Sequence, residues 1–308
     1  MDLAKVEAFV RKMGCRVQHA QPLADFTAFR IGGPAELVVT IPNEAAATLI
    51  VAACRIRGIP FFFLGNGSNL LCADEGLAGV ILRLEGRLHT PVCREQILSC
   101  SAGIPLQRAC RTAQQNGLAG LEFAFGIPGS VGGAVFMNAG AYGGQIADVL
   151  QKALLLSPDG TLREASGEEL EMTYRHTALM DSGEIVLRAD FALQPDDPEA
   201  VRQRMDDILA RRQQKQPLEY PSAGSFFKRP QGAFAGELIE RCGFKGAFVG
   251  GAQVSEKHAG FIINRGGATC RDVLELAHRV RQGVAEQTGF VLEPEVRLVG
   301  GVDWPWNC

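Results

Sequence analysis

Two glycine-rich loops are the clearest candidates for binding phosphate. The first spans residues 65–69, Gly-Asn-Gly-Ser-Asn, and follows an apolar run at residues 61–64; the second spans residues 126–134. Turns of Gly, Asn and Ser point successive backbone N–H groups inward, and glycine lets the backbone approach a ligand closely. Either loop alone is also typical of a hairpin or a bulge. Two on one chain favour a large phosphate-bearing cofactor.

The spacing of these glycines excludes two common nucleotide sites. Leu70 stands where the third glycine of G-x-G-x-x-G would be, which disfavours a nicotinamide-binding Rossmann dehydrogenase. The sequence contains no G-x-x-x-x-G-K-[ST], so a P-loop is excluded.

Three further segments carry groups that could do chemistry, centred on Arg175, Ser225 and Glu295. Each has an alternative interpretation, respectively a surface ion pair, a turn residue and a solvated strand position. Ser225 lacks the G-x-S-x-G elbow of serine hydrolases. Lys228 and Arg229 follow two phenylalanines, a pattern that suits a loop offering cations to a phosphate or carboxylate.

No metal site is predicted. The five histidines show no metal-ligand spacing, and the nine cysteines form no C-x-x-C pair. Their odd count argues against a full disulfide framework, so we expect reduced, mostly buried thiols in a cytoplasmic protein. Cys242 stands in a glycine-rich segment, and we interpret it as a small core residue on a helix.

Composition narrows the function classes. The 308 residues suffice for two or three domains, and Lys+Arg 31 balances Asp+Glu 34, so neither a nucleic-acid nor a membrane-surface partner is expected. The apolar run at residues 45–54 is too short to span a bilayer. Helical spacing with acids among the first residues disfavours a secretory signal.

The secondary structure that must position these groups is predicted to be α+β. Apolar runs predict strands at residues 80–84, 97–100, 153–156, 185–193 and 290–298, with a turn at 157–160. Asp197 and Pro198 predict the start of a helix, whose polar end at 211–216 is the best candidate linker. Thr269 and Asp272 form a capping box for a second helix that ends at Gly289.

Several motifs in order along nearly the whole chain resemble those of UDP-N-acetylenolpyruvoylglucosamine reductases, the MurB family. They are Phe-Arg-Ile-Gly-Gly at 29–33, both glycine loops, Asn-Ala-Gly-Ala-Tyr-Gly at 138–143, Tyr-Arg at 174–175, Gly-Ser-Phe-Phe-Lys at 224–228 and Glu-Pro-Glu-Val at 293–296.

The resemblance implies an FAD-binding fold of the PCMH/vanillyl-alcohol-oxidase type in two subdomains, plus a C-terminal α+β substrate domain. We place the FAD-binding subdomains at 1–84 and 85–197 and the substrate-binding domain at 198–289. The C-terminal strand at 290–308 is expected to be able to return to the first subdomain. A monomer is favoured.

The resemblance also implies non-covalent FAD, since neither glycine loop contains a histidine anchor, and NADPH as hydride donor. Its FAD contacts map onto Arg30, Gly65, Asn66, Gly67, Ser68, Asn69, Gly126, Ile127, Pro128, Gly129, Ser130, Gly132, Gly133, Ala134, Asn138 and Ile185. Its contacts to the UDP-sugar map onto Lys215, Lys228, Arg229 and Lys245.

The implied reaction reduces the enolpyruvyl ether of a UDP-sugar to the lactyl ether, UDP-N-acetylmuramate, in peptidoglycan synthesis. Arg175 and Glu295 correspond to groups that stabilise an enolate, and Ser225 corresponds to the proton donor. Only 49 residues separate Arg175 from Ser225, which matches the shorter subgroup without a Tyr lid. Many relatives have Asn where this chain has Arg229, which puts a polar substrate contact there in question.

Two other functions stay open at this point. Another flavin oxidoreductase of the same fold, such as an oxidase, would need oxygen reactivity and often a covalent flavin anchor. A non-catalytic nucleotide-sugar binding module would be expected to have lost the Arg, Ser or Glu, and all three are present.

Overall fold

The computed structural model describes residues 3–84 and 90–306. The predicted boundary between residues 84 and 85 adjoins the undescribed segment 85–89, which includes His89. The predicted domain ends at residues 1 and 308 also lie outside the described residues, as does Cys308. The three-part division of the chain stays a prediction.

Helices and strands are both abundant. The helices are α1 (Leu3–Lys12), α2 (Glu44–Ile56), α3 (Leu106–Gln115), α4 (Val131–Phe136), α5 (Leu179–Ser182), α6 (Pro198–Lys215), α7 (Ala235–Arg241) and α8 (Cys270–Thr288). Among the described residues, none of these helices combines the length and the apolar character needed to cross a bilayer.

The strands are mostly short. They are β1 (Arg16–Pro22), β2 (Pro34–Ile41), β3 (Phe61–Phe63), β4 (Leu70–Cys72), β5 (Leu77–Leu84), β6 (Val92–Arg94), β7 (Ile97–Ser101), β8 (Leu118–Ala119), β9 (Gly140–Ala141), β10 (Gly144–Gln145), β11 (Leu150–Leu156), β12 (Leu162–Ser166), β13 (Ile185–Ala192), β14 (Gln194–Pro195), β15 (Ser222–Ser225), β16 (Phe248–Val249), β17 (Ala252–Val254), β18 (Phe261–Asn264) and β19 (Arg297–Val299).

The chain divides into two compact units. The first comprises the described residues of Met1–Gln18, Val38–Asn66 and Gly79–Arg211, and the second comprises those of His19–Leu37, Gly67–Ala78 and Arg212–Cys308. Each unit has its own buried apolar cluster.

The first unit is built on an antiparallel sheet of order β12-β11-β13-β7-β6. The predicted turn between β11 and β12 is present, with Gly160 at φ +93° and the Asp159 carboxylate accepting from Thr161 N at 2.9 Å. Helices α3 and α4 contribute Leu106 and Val131 to the buried cluster that packs on this sheet. The strands predicted around residues 97–100, 153–156 and 185–193 are confirmed.

The second unit contains an antiparallel sheet of order β15-β18-β17-β16, with α8 packed against it. The capping box that predicts α8 is confirmed, because Thr269 Oγ1 accepts from Asp272 N at 3.0 Å and Asp272 Oδ2 accepts from Thr269 N at 3.0 Å. Gly289 ends the helix in the left-handed conformation at φ +78°. The capping residue Asp197 of α6 is confirmed as well, by its bonds from Glu199 N and Ala200 N.

One prediction about the C-terminal third is wrong, and another is right in position but not in secondary structure. Residues 290–296 are not a strand: Pro294 lacks an N–H for a ladder and forms an isolated bridge with Phe227, and the strand here is Arg297–Val299, which pairs in parallel with β4. The division between the two units falls between Arg211 and Arg212, within the predicted linker at 211–216, but this stretch is largely the last turn of α6, where Gln216 N donates to Arg212 O at 2.8 Å.

Candidate active site

In the first unit the two glycine loops touch each other. A Cβ built on Gly65 would lie 2.4 Å from Ser130 Oγ, and Asn66 Nδ2 donates to Pro128 O at 3.2 Å. A side chain at residue 65 would therefore displace the Ser130 hydroxyl or push the loops apart. The sequence predicted two separate loops. In the structure, Gly65 and Asn66 of the first loop contact the second loop.

The second loop is fixed by the helix that follows it. Ser130 is the N-cap of α4, and its Oγ accepts from Gly133 N at 3.3 Å. Gly132 packs so closely that an added Cβ would lie 2.7 Å from Ala102 Cβ. Packing within the protein requires glycine at these positions. Because glycine has no side chain, the loop backbone stays uncovered there.

Arg175 stands at the tip of a tight turn of the first unit. Thr173 and His176 exchange both backbone hydrogen bonds, at 3.0 and 3.2 Å, and Arg175 adopts φ +54°. Its Nη2 donates to Gly140 O at 3.0 Å, and its guanidinium carbon lies 5.2 Å from the centre of the Tyr174 ring. The guanidinium is thus held by one hydrogen bond and by one aromatic ring.

Asn138 supports that turn from the interior. It is 1% exposed and adopts φ +40°. Its Nδ2 donates to Thr173 O at 2.9 Å and to Gln145 Oε1 at 3.1 Å, while its Oδ1 accepts from Ala147 N at 2.9 Å. The amide is fully engaged within the protein, so a cofactor contact at this residue would have to use the backbone.

In the second unit, Ser225 ends strand β15 and is exposed, whereas the next two residues, Phe226 and Phe227, are buried. Gly224 before it adopts φ +80°, and the pairing with β18 shifts register between Ser222 and Ser225. The two buried rings anchor the chain while the bulge turns Ser225 outward.

The segment that carries Glu295 runs beside the segment that carries Ser225. Glu295 N donates to Phe226 O at 2.8 Å, and Lys228 N donates to Glu293 O at 2.8 Å. Asn69, at the end of the first glycine loop, belongs to the second unit, and its Nδ2 donates to Glu295 O at 3.0 Å. Two of the three predicted catalytic residues therefore lie on adjacent segments of one unit, while Arg175 belongs to the first unit.

Comparison with known proteins gives matches across both units. A family model described as "FAD binding domain" matches residues 35–166, and one described as "UDP-N-acetylenolpyruvoylglucosamine reductase, C-terminal domain" matches residues 216–299. A UDP-N-acetylenolpyruvoylglucosamine reductase of Clostridium novyi is 45% identical over 278 residues, covering 90% of each chain. One from Clostridium perfringens is 44% identical over 279 residues, covering 91% of each. The chain belongs to this reductase family.

A solved structure supports the same assignment. The crystal structure of the family member from Thermus caldophilus is similar with a TM-score of 0.79 and 37% identity, covering 92% of this chain and 99% of that one. The predicted α+β fold, with an FAD-binding region followed by the C-terminal domain of the reductases, is confirmed, and so is the resemblance from which it was predicted.

FAD is the cofactor of this flavoenzyme, and the residues at the joined glycine loops fit its pyrophosphate. Within the described part of the chain, the backbone N–H groups of Gly65, Asn66, Gly129 and Ser130 donate to no protein acceptor. Neither loop contains an acidic residue. Neutral N–H donors that lack a protein partner, on a surface kept bare by glycine, suit a bound anion.

The other predicted FAD residues fall on both units. Arg30 adopts φ +54° and Gly67 adopts φ +60°; a Cβ on Gly67 would lie 2.2 Å from Phe26 O. Ile185 opens strand β13, paired with Leu156. The individual FAD contacts stay predictions.

The predicted substrate residues lie in different settings. Lys245 Nζ lies 2.7 Å from Glu240 Oε1, and Lys228 Nζ lies 3.5 Å from Glu293 Oε2. The guanidinium carbon of Arg229 lies 4.0 Å from the centre of the Phe234 ring. Lys215 is the last residue of α6. Three of these four cations are thus engaged with partners in the second unit.

Sequence reasoning missed His258. Burial lowers the pKa of this imidazole, and the charges of Lys245 and Lys215 lower it further, against the opposing effect of Glu240. Its Nδ1 accepts from Gly260 N at 3.0 Å, so the proton of the neutral ring sits on Nε2. No local signal in the sequence could have identified it, since it follows both Lys215 and Lys245 in the chain and has no motif of its own.

Thiols and metal ligands add nothing to the site. All eight described cysteines are free, as predicted, and burial raises the pKa of Cys15 to about 11 and that of Cys72 to about 12. Cys242 caps α7 and packs against the core of the second unit. Among residues 3–84 and 90–306, no group of three or more His, Cys, Asp or Glu could hold a metal ion.

Proposed function

We propose that this enzyme reduces UDP-N-acetylglucosamine enolpyruvate to UDP-N-acetylmuramate in peptidoglycan precursor synthesis, with FAD as cofactor and NADPH as hydride donor. The observation that carries the proposal is the 2.8 Å hydrogen bond from Glu295 N to Phe226 O. It holds a carboxyl group and a serine hydroxyl on adjacent segments within the region that matches the C-terminal domain of these reductases.

When bound and reduced by NADPH, FAD would supply the hydride for the terminal carbon of the enolpyruvyl group. Negative charge then develops on the carbon beside the substrate carboxylate and spreads into that carboxylate. We assign its stabilisation to Arg175 and Glu295, because a fixed guanidinium and a protonated carboxyl group both donate hydrogen bonds to developing charge. The bond from Arg175 to Gly140 O limits the motion of that guanidinium before the substrate arrives.

We assign the proton that completes the reaction to Ser225. A serine hydroxyl is a weak acid in water, but it can donate to a strongly basic carbanion when neighbouring groups stabilise the alkoxide it leaves. Ser225 is exposed while Phe226 and Phe227 are buried, which presents the hydroxyl on a rigid support. The product gains one hydride and one proton, so its mass rises by two hydrogens.

For the UDP-sugar we propose contacts from Lys215, Lys228, Arg229 and Lys245, with His258 as a neutral donor beside two of them. The charges of Lys215 and Lys245 both lower the pKa of His258, which supports a common role for the three groups. Their combined charge suits the diphosphate of a nucleotide sugar. The single bonds of Lys245 to Glu240 and of Lys228 to Glu293 are exposed pairs that a stronger anion can displace.

We also propose the three-part domain division of the sequence analysis, a monomer, and a cytoplasmic location. The parallel pairing of β19 with β4 supports the return of the C-terminal strand toward the N-terminal part of the chain. The eight free cysteines support a reducing compartment.

The test is a complete reaction with purified protein. We expect a yellow protein with about one FAD released per chain on denaturation, and oxidation of NADPH that requires the enolpyruvyl UDP-sugar. Mass spectrometry should find a product heavier by two hydrogens, and the Ser225→Ala variant serves as the matched control. NADPH oxidation that proceeds equally well without the UDP-sugar, with oxygen consumed instead, would identify an oxidase and contradict the proposal.

A further inference from the structure

The last described residues form an apolar strap on the second unit. Burial alternates along it: Val302, Trp304 and Trp306 are partly buried and pack against the core, while the residues between them are exposed. The match to the family's C-terminal domain ends at residue 299, before this strap begins. We call residues 302–306 the tryptophan strap.

Trp304 contacts the residue that follows the proposed proton donor. Its ring meets the Phe226 ring edge-on, with centroids 6.0 Å apart. Phe226 is 1% exposed, its N donates to Gly260 O, and its O accepts from Glu295 N, both at 2.8 Å. A displaced Phe226 would therefore move Ser225 through the chain and Glu295 through the hydrogen bond.

Trp306 reaches the other segment through helix α8. Its ring stacks on Trp304 at 5.0 Å with an angle of 11° between planes, and lies near-parallel to His278 at 6.2 Å. The guanidinium carbon of Arg281 lies 4.9 Å from the Trp306 ring centre, and its Nε donates to Leu292 O at 3.1 Å. Leu292 opens the segment that ends at Glu295.

We propose that Trp304 and Trp306 are positioning residues of the reductase. The strap holds the segment of Ser225 through Phe226 and the segment of Glu295 through Arg281, so that both groups keep their places relative to each other. The inference rests on the roles proposed above for Ser225 and Glu295. Misplacement of a reacting group by about 1 Å can cost about 10²-fold in rate, so a packing contact one residue away is sufficient.

A purely stabilising role makes a different prediction. Removing large aromatic side chains would then lower the melting temperature and leave the turnover of the folded enzyme unchanged. A positioning role predicts a lower kcat with little change in KM for the UDP-sugar, because the strap contacts Phe226 and Arg281, which hold the segments of Ser225 and Glu295.

The chain offers a direct optical readout of the strap. Its only two tryptophans are Trp304 and Trp306. Indole emission and the circular dichroism of the stacked pair therefore report the strap alone. Emission that shifts to the red on substitution of either tryptophan would show that the remaining indole has become exposed.

The variants are Trp304→Ala and Trp306→Ala, with Trp304→Phe as the conservative control and Ile56→Ala, at an 83% exposed site of α2, as the surface control. For both alanine variants we expect reoxidation of the flavin by the UDP-sugar to slow by about 10-fold to 10²-fold per bound FAD. Flavin reduction by NADPH and FAD content should stay within about twofold, and Trp304→Phe should recover most of the rate. If Trp304→Ala fails to fold, Trp306→Ala, which keeps the contact with Phe226, decides the question.

Two outcomes would overturn the inference. One is a wild-type rate of flavin reoxidation in a strap variant whose emission shows an undocked strap. The other is equal slowing of both half-reactions, which would mean general damage. Ser225→Ala in the same assay separates this inference from the proposed function: if that variant is slow and the strap variants are not, only the strap inference fails; if that variant turns over normally, the role of Ser225 fails.

Discussion

The two units differ in the kind of functional group that each contributes. The joined glycine loops of the first unit offer backbone N–H groups, and their shape depends on the absence of side chains at Gly65 and Gly132. The segments of the second unit offer the side chains of Ser225 and Glu295, and their place depends on large buried rings such as Phe226.

This difference indicates which kind of mutation should impair each part. A backbone surface fails when a side chain is added, and the loss appears in cofactor affinity. A pair of side chains fails when one is removed or its support is loosened, and the loss appears in rate. Mutations in the two parts should therefore separate binding of FAD from transfer to the UDP-sugar.

The largest effect is expected for Ser225→Ala. Its hydroxyl is needed only once the α-carbon must be protonated, so NADPH should still bleach the flavin at a near wild-type rate. Reoxidation by the UDP-sugar should slow by about 10²–10⁴-fold, the range of a positioned general acid. Stopped-flow absorbance resolves both halves, and Ser222→Ala on the same strand is the matched control. Equal slowing of both halves would point to a distorted flavin site.

The next effect is expected for Arg175→Lys. An ammonium group keeps the charge but cannot reproduce the planar donors of the guanidinium, nor both its bond to Gly140 O and its stack on Tyr174. We expect kcat to fall by about 10²-fold, as for loss of one donor to a developing oxyanion, with a smaller change in KM. A rise in KM at constant kcat would make Arg175 a uniform binding group instead.

On the cofactor side, Gly65→Ala should weaken FAD binding without changing the rate per bound flavin. The added Cβ would lie 2.4 Å from Ser130 Oγ, so either this hydroxyl must rotate away and give up its cap to Gly133 N or the two loops must separate. Since each factor of ten in affinity corresponds to about 1.4 kcal/mol, a modest displacement should raise the Kd for FAD by about tenfold.

Ser130→Ala gives this prediction a rescue test. It removes the clashing hydroxyl at the cost of the cap to Gly133 N. The double variant Gly65→Ala with Ser130→Ala should bind FAD more tightly than Gly65→Ala alone, which fluorescence titration of the apoprotein can measure. Additive losses in the double variant would show that the contact between the loops does not govern FAD affinity.

The comparison also explains how far the sequence could predict the site. The glycine loops were predictable because glycine clusters have a local backbone meaning, and the N-cap of α6 and the capping box of α8 because capping acts within four residues. The contact between Gly65 and Ser130 was not, since it joins positions 65 residues apart. The three catalytic candidates became compelling only through the family resemblance, because a single Arg, Ser or Glu has no local signature.

The errors have the same origin. The alternating pattern at 290–298 predicts a strand, but Pro294 and the pairing with residues 226–228 divide that segment into single hydrogen bonds. His258 was missed because its proposed role depends on the charges of Lys215 and Lys245. These lysines precede it in the sequence by 43 and 13 residues. Local patterns carry no information about such neighbours.

The smallest effect is expected in the pH dependence of stability and comes from His258 in the second unit. Burial lowers the pKa of His258 in the folded protein, whereas the unfolded chain takes up the proton near the ordinary value of 6.5. Below that value the unfolded state binds more protons, so the folded state loses stability as pH falls from about 7.5 to about 5. Protonation would also turn Nδ1 from an acceptor into a donor facing Gly260 N. His258→Asn keeps an acceptor but does not titrate, so its free energy of unfolding, from urea titrations at both pH values, should fall less than that of the wild type. An equal fall in both proteins would assign the acid sensitivity to other groups and leave His258 without a role in it.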